Sequence, residues 1–168
     1  MTRILLVSDS HGYDTFMEMM LDRHSGVDCV FHLGDGASDL PRLRRYAKCP
    51  VLAVRGNCDG FGEEPEERQY EAEGVRLFLT HGHLYRVKYR LDALAYRAEE
   101  LGAQAALYGH THRQELLREQ GVLVMNPGSL SRPRVSEAGF ALLDVKDGQA
   151  KGLLLPFVGQ QENYGSFF

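Results

Sequence analysis

Apolar residues in this 168-residue chain fall in short runs, and each run stops at a polar, glycine-rich cluster. Residues 4–7 end in Ser8-Asp9-Ser10-His11-Gly12, and 29–33 end in Gly34-Asp35-Gly36. Residues 51–54 end in Arg55-Gly56-Asn57-Cys58-Asp59-Gly60, and 77–79 run into Thr80-His81-Gly82-His83. Residues 105–108 end in Gly109-His110-Thr111-His112, and 122–125 end in Asn126-Pro127-Gly128-Ser129. Apolar runs this short, bounded by turn signals, predict buried strands.

Helical spacing lies between them. Residues 13–23 gather Phe16, Met20 and Leu21 on one side, with Met17 close by. Residues 39–48 gather Leu40, Leu43 and Ala47, with Asp39 placed to cap the helix ahead of Pro41. Residues 89–101 carry Leu91, Leu94, Ala95, Ala98 and Leu101 and close at Gly102. Hairpins are expected about Gly74, about Gln120-Gly121 and about Asp147-Gly148. The order is β-α-β-α-β followed by strands with one more helix. It predicts two packed sheets with helices outside, a mixed α/β layered domain.

Composition narrows the picture. The length suits a single domain over residues 1–168, with 159–168 a C-terminal tail. Its last residues, Phe167 and Phe168, are placed to dock on the body or on a second subunit. Hydrophobic residues are 43% of the chain and charged residues 25%, a globular balance. A net charge of −4 argues against a domain built mainly to neutralise a nucleic-acid backbone, though not against a local basic patch. Cys29, Cys49 and Cys58 form no CxxC pair, which disfavours a thiolate zinc site and a disulfide framework. With no signal-peptide pattern and no long apolar stretch, the chain reads as cytoplasmic, with no membrane partner. The acidic run Glu63-Glu64-Pro65-Glu66-Glu67 reads as an exposed loop.

The chemistry follows from where the polar clusters fall. Strand ends on one edge of an α/β sheet converge on the crevice where ligands bind. Asp9 and His11 supply a carboxylate and an imidazole; Asp35 supplies a second carboxylate and Asn57 an amide oxygen. His81, His110 and His112 add three imidazoles, and five of the seven histidines lie in these clusters. A lone DxH, GD or HxH is weak, because turns and caps use the same residues. Together the seven groups exceed what one tetrahedral ion with an open position accepts, and they suit two ions if Asp35 bridges. Nitrogen and oxygen donors without thiolate point to Mn, Fe or Zn rather than Ca or Mg alone. Two ions about 3.5–4 Å apart would activate a bridging water and clamp an in-line displacement at phosphorus.

The ordered series Asp9-x-His11, Gly34-Asp35, Gly56-Asn57-Cys58-Asp59, His81-Gly82-His83 and Gly109-His110-Thr111-His112 resembles the calcineurin-like metallophosphoesterases. The short length, the Cys58 variant, and Asn126-Pro127-Gly128-Ser129 with Arg132-Pro133-Arg134 are similar to the YfcE-type phosphodiesterase branch. The resemblance covers residues 3–145 and implies a four-layer αββα sandwich of two mixed sheets. It implies a first metal on Asp9, His11, Asp35 and His112. A second metal would sit on Asn57, His81 and His110, with Asp35 bridging. The ions would be Mn first, then Fe, Zn or Ni, and the reaction attack by a metal-bridging hydroxide on a small phosphate ester, most readily a diester. It also suggests a homodimer or larger homo-oligomer.

Asn57, Cys58 and Asp59 are the candidate catalytic residues, and Asn57 and His83 the candidate substrate contacts. Many relatives carry His at position 58, where it orients substrate or protonates the leaving group. Cys58 imitates an imidazolium poorly, so esters with good leaving groups are favoured. Cys58 could equally be a small packing residue, and Asp59 would steady the loop. His32 reads as structural and His24 as solvated. Arg42, Arg44, Arg45 and Lys48 read as an exposed helix face, while Arg86, Lys88 and Arg90 could draw a phosphorylated substrate inward. A non-catalytic scaffold on the same fold, like the retromer subunit, is the alternative, and a mononuclear hydrolase a third. The retained ligand positions favour an enzyme.

Overall fold

A computed structural model describes residues 1–12, 14–134 and 137–157. Tyr13 and the C-terminal tail with Phe167 and Phe168 lie outside the described residues, as does the side chain of Phe16.

The strands are β1 (Thr2–Val7), β2 (Cys29–His32), β3 (Val51–Ala53), β4 (Glu67–Ala72), β5 (Val75–Thr80), β6 (Ala105–Leu107), β7 (Gln114–Glu119), β8 (Val122–Pro127), β9 (Gly139–Lys146) and β10 (Gln149–Pro156). The helices are α1 (Asp14–Arg23), α2 (Leu40–Tyr46) and α3 (Asp92–Glu100). One five-stranded sheet has the order β10-β9-β1-β2-β3 and the other β4-β5-β6-β8-β7. In the first, β1, β2 and β3 run parallel; in the second, β5, β6 and β8 do. Antiparallel strands complete both sheets.

Period-two alternation assigns each strand residue to a layer. Ile4 and Leu6 face the inter-sheet core with Phe31, Leu77, Leu79, Leu107 and Met125. Leu5 and Val7 face outward, against Met17 and Met20 of α1 and Leu43 of α2. Across the molecule, Phe78, Ala106 and Val124 pack beneath Leu94 and Ala98 of α3. The result is the expected layering of helix, sheet, sheet and helix. Glu73-Gly74, Gln120-Gly121 and Asp147-Gly148 all adopt positive φ in pairs, as two-residue hairpin turns of type I′ require.

Four local expectations change. Asp39 occupies the cap position of α2 but makes no side-chain cap hydrogen bond. Its carboxylate turns instead to the Ser10 hydroxyl at 2.5 Å and the Gly12 amide at 2.9 Å. The third helix begins at Asp92 rather than residue 89, because Arg86 is left-handed (φ 54°) and the Tyr89 amide closes a turn on the Arg86 carbonyl. The acidic run is tied down: Glu64 pairs with Arg44 and Arg68, Glu66 with Arg55, and Glu67 with Arg97. His24 is half-buried, its ring 5.0 Å from that of Phe140, and burial lowers its pKa. Among the described residues no helix is long and apolar enough to cross a membrane.

Candidate metal centre

The parallel strands of both sheets deliver their following loops to one edge. Backbone hydrogen bonds lace these loops together: the Asp9 amide donates to the Gly34 carbonyl, His11 to Asp35, and Gly109 to His81. Two groups of possible ligands result, Asp9 with His11 and His112, and Asp35 with His81 and His110. In each group the ligand atoms lie within 4.8 Å of one another.

Five of these six residues are left-handed: Asp9 (φ 53°), His11 (46°), Asp35 (55°), His110 (69°) and His112 (58°). A side chain at positive φ clashes with its own backbone at a cost of about 1–3 kcal/mol, so the surroundings must enforce it. Among the described residues the other non-glycine residues of this kind are Arg86 and the three hairpin residues. Strain away from simple turns is thus concentrated where the two groups meet.

The surroundings that enforce it are visible. One Asp9 oxygen accepts from the Ser8 hydroxyl at 2.6 Å and the His110 amide at 3.0 Å. A Cβ at Gly109 would lie 1.9 Å from Ser8 Oγ and 2.8 Å from that Asp9 oxygen, so only glycine permits this approach. The Asp9 carbonyl receives the hydroxyls of Ser129 and Ser131 at 2.7 and 3.1 Å. Asn126, fully buried, donates to the Gly109 carbonyl and to Thr111 Oγ1 while accepting from the Gly128 amide. Beneath Asp35, Asp59 accepts four backbone amides, those of Asp35, Gly36, Ala37 and Gly56. A second buried chain runs from His32 through Ser10 to Asp39, with the Gly34 amide on the other His32 nitrogen.

Hydrogen bonds also select which nitrogen His81 and His112 offer. His81 Nδ1 lies 2.7 Å from the Leu33 carbonyl, and His112 Nδ1 lies 2.6 Å from the Arg132 carbonyl. A carbonyl only accepts, so Nδ1 carries the proton and Nε2 turns its lone pair inward, the usual arrangement behind a metal-binding imidazole. His81 Nε2 stands 3.3 Å from Asp35 Oδ2 and 3.9 Å from Asp9 Oδ1. Asp9 Oδ1 is 3.1 Å from His112 Nε2 and 3.9 Å from His11 Nε2. It thus reaches histidines of both groups. Asp35 Oδ1 is taken by the Cys58 amide at 2.8 Å, and Oδ2 faces His81.

Electrostatics agree with a cation's place. Burial pushes the Asp9 and Asp35 carboxyls up in pKa, but their histidines and hydrogen bonds outweigh it and hold both below the usual range. Asp9 raises the pKa of His112; at His81 burial opposes, but Asp35, Asp9 and the Leu33 carbonyl prevail. Burial lowers His11, and burial with the charges of His81 and Lys88 takes His110 down to about 4. Asp9 Oδ1 and His81 Nε2 are buried without a hydrogen-bond partner, and both point into the space between the groups. Orphaned polar atoms in a fixed frame are costly unless something binds them. An oxygen and nitrogen donor set of this kind fits divalent ions.

The remaining sequence candidates sit at the rim. Asn57 and Cys58 are exposed, the Asn57 amide lying 3.4 Å from Cys58 Sγ. The exposure of Cys58 sets aside a packing role. Burial first, then the Asp35 carboxylate, pushes its thiol up. His83 lies in a short 3-10 turn, His83–Tyr85, its ring 5.5 Å from that of His81 and its Nδ1 buried without a partner. His32 is structural as its sequence position suggests, whereas residue type alone does not mark Ser8, Ser10, Asn126, Ser129 and Ser131 as contributors. The available signal was their position, on or just after strand ends.

Residues 2–148 match the calcineurin-like phosphoesterase superfamily domain. The chain belongs to that superfamily. It is 38% identical to the probable metallophosphoesterase YsnB of Bacillus subtilis, over 88% of this chain and 86% of that one. It is 31% identical to the phosphodiesterase YfcE of Escherichia coli K12, over 86% and 88% of the two chains. A solved Streptococcus pneumoniae structure, described as a predicted phosphoesterase, superposes with a TM-score of 0.79 at 34% identity, covering 92% and 89%. The fold is also that of Vps29 from Entamoeba histolytica, with TM-score 0.73 at 23% identity, covering 94% and 100%.

Proposed function

We propose that this chain is a dinuclear metal phosphodiesterase. The observation that carries the reading is the convergence of two ligand groups on a space into which Asp9 Oδ1 and His81 Nε2 point without partners. Asp9, His11, Asp35 and His112 would hold one divalent ion, and Asn57, His81 and His110 a second, with Asp35 shared. Manganese suits the donors, with Fe, Zn or Ni as alternatives. Bound there, such ions supply Lewis-acid polarisation of the phosphoryl oxygens and an acidified water. The likeness to a phosphodiesterase supports a diester substrate. The free cysteines support a reducing, cytoplasmic setting.

The chain's own residues divide the remaining work. Asn57 and His83 face the entering ester, Asn57 from the exposed rim of the first sheet and His83 from beside His81. Asp59 is a positioning residue: its carboxylate is occupied by the loop that presents Asp35. A Cys58 thiol is a weaker proton donor than an imidazolium, so esters with acidic leaving groups react best.

Purified protein loaded with Mn should hydrolyse bis-p-nitrophenyl phosphate faster than p-nitrophenyl phosphate, with two ions per chain by metal analysis. Absence of hydrolysis at full metal loading refutes the enzyme and leaves the scaffold reading. One ion per chain at saturation refutes the dinuclear centre. Asp35→Asn should weaken both ions; if Asp9→Asn does so instead, the shared ligand is Asp9, whose Oδ1 already reaches histidines of both groups.

A further inference from the structure

Arg3, Arg42, Arg44, Arg55, Arg68, Arg76, Arg90 and Arg97 are each paired with a carboxylate. Other described cations carry no such partner, and three of them share one groove. Among the described residues Lys88, Arg113 and Arg134 form no ion pair, and all three line one groove of about 440 Å³. In a chain of net charge −4, three unpaired cations around one cleft are an asymmetry with a physical cost. Mutual repulsion opposes bringing them together, and an anion would relieve it. Glu115 also lines the groove, accepting from the Tyr108 hydroxyl, and offsets one of these cations, while Arg90 is held by Asp92.

The groove opens beside the metal centre. Thr111, part of its wall, lies between His110 and His112 in the chain. The Arg134 amide donates to the His112 carbonyl at 3.3 Å, which fixes the backbone of that residue to the centre. The wall carries one further feature. Tyr89 is 87% exposed, an aromatic face with nothing packed on it, standing among the cations. Cations for a phosphate beside an aromatic face for a base are how proteins hold a short single strand without reading its sequence.

We propose that this groove is a second phosphate subsite, and that the substrate is a short nucleotide diester bearing a phosphate besides the scissile one. Lys88, Arg113 and Arg134 bind the additional phosphate, and Tyr89 stacks on the base beside it. The inference rests on the phosphodiesterase reading and names the substrate class for it. A local patch of this size is compatible with an acidic protein, because it recognises a small substrate and not a long polyanion.

Three substrates test it: the dinucleotide ApA, its 5′-phosphorylated form pApA, and bis-p-nitrophenyl phosphate. The expected result is a kcat/KM for pApA at least tenfold above that for ApA, expressed mainly in KM. The Lys88→Gln, Arg113→Gln and Arg134→Gln triple variant should bring that ratio to about one. Tyr89→Ala should raise KM for both dinucleotides. Equal kcat/KM for pApA and ApA in the unaltered protein, or a preference that survives the triple variant, overturns the subsite. Calorimetry on metal-free protein supplies a readout independent of turnover. It should bind pApA at least tenfold tighter than ApA at 50 mM salt, and the difference should shrink at 200 mM. If bis-p-nitrophenyl phosphate is not hydrolysed while calorimetry shows this preference, the function reading falls and the anion groove stands. No preference in calorimetry overturns the groove whatever the hydrolysis shows.

Discussion

Replacing Asp59 by Asn changes one atom and should unseat the loop that carries Asp35. In the structure Oδ2 accepts the amides of Asp35 at 2.8 Å and Gly56 at 2.7 Å, while Oδ1 accepts those of Gly36 at 2.9 Å and Ala37 at 2.8 Å. An asparagine has one oxygen, so it can serve one of these pairs and must turn its own NH2 toward the other. Two amide donors are then orphaned against a third donor group. Hydrogen bonds to a charged acceptor are worth about 1.5–3 kcal/mol each. Losing two gives about 3–6 kcal/mol, and the surviving pair weakens as the charge goes. Asp59 is only half-buried, so water relieves part of this. The expected destabilisation is about 3 kcal/mol, a Tm fall of about 6–12 °C for a chain of this length. Urea unfolding of metal-free Asp59→Asn measures it directly, and metal titration should show weakened binding at the Asp35 group. A loss below about 1 kcal/mol with unchanged metal affinity would show that the four amides are satisfied some other way, and the positioning role would fail.

Gly109→Ala should fold yet lose metal affinity by about tenfold or more, because the added methyl must displace Ser8 Oγ or the Asp9 carboxylate; calorimetric metal titration checks it. Asn126→Ala leaves the Gly128 amide without its partner in a fully buried setting, while the Gly109 carbonyl keeps the Thr111 amide, which should cost about 1–3 kcal/mol in denaturant unfolding. Asn57→Ala, at an exposed position, should lower kcat at least tenfold while moving stability by less than about 1 kcal/mol.

The layers were legible because burial imposes a period on each strand. Leu5 and Val7 alternate with Ile4 and Leu6, and a strand with two apolar faces satisfies both sets; the turn residues that bound so short a run favour it over a buried helix. Ligand convergence was legible for a related reason, since every polar cluster followed a strand whose direction the topology shares. What the pattern could not carry was the conformation inside those clusters. Nothing in the residue type announces that His11 or His112 sits at positive φ, because the strain is imposed by groups elsewhere in the chain, such as Ser129 and Asn126. Asp39 shows the same limit. Local rules make it a helix cap, but the Ser10 hydroxyl and Gly12 amide outbid the helix for its oxygens, and both arrive from another segment. The acidic run was misjudged because its arginine partners, Arg44, Arg55 and Arg97, come from distant elements.

The pairing of β1 with β9 has a consequence for how the protein is made. Thr2 stands opposite Val145 and Leu6 opposite Ala141, so the strand that leads to Asp9 lies between β2 and a strand separated from it by most of the domain. Pairings of such long range are slow to form, because the intervening loop must close before any contact rewards it. At about 5–20 residues per second on the ribosome, β1 waits several seconds or more for this partner. Asp9 is further anchored through Ser129 and Ser131, and His112 through Arg132, all of them in the segment after β8. A nascent chain therefore emerges with its histidines and carboxylates dispersed, and gathers them only after β9 has been made. The candidate metal ligands are thereby kept apart until the strands that hold them are in place.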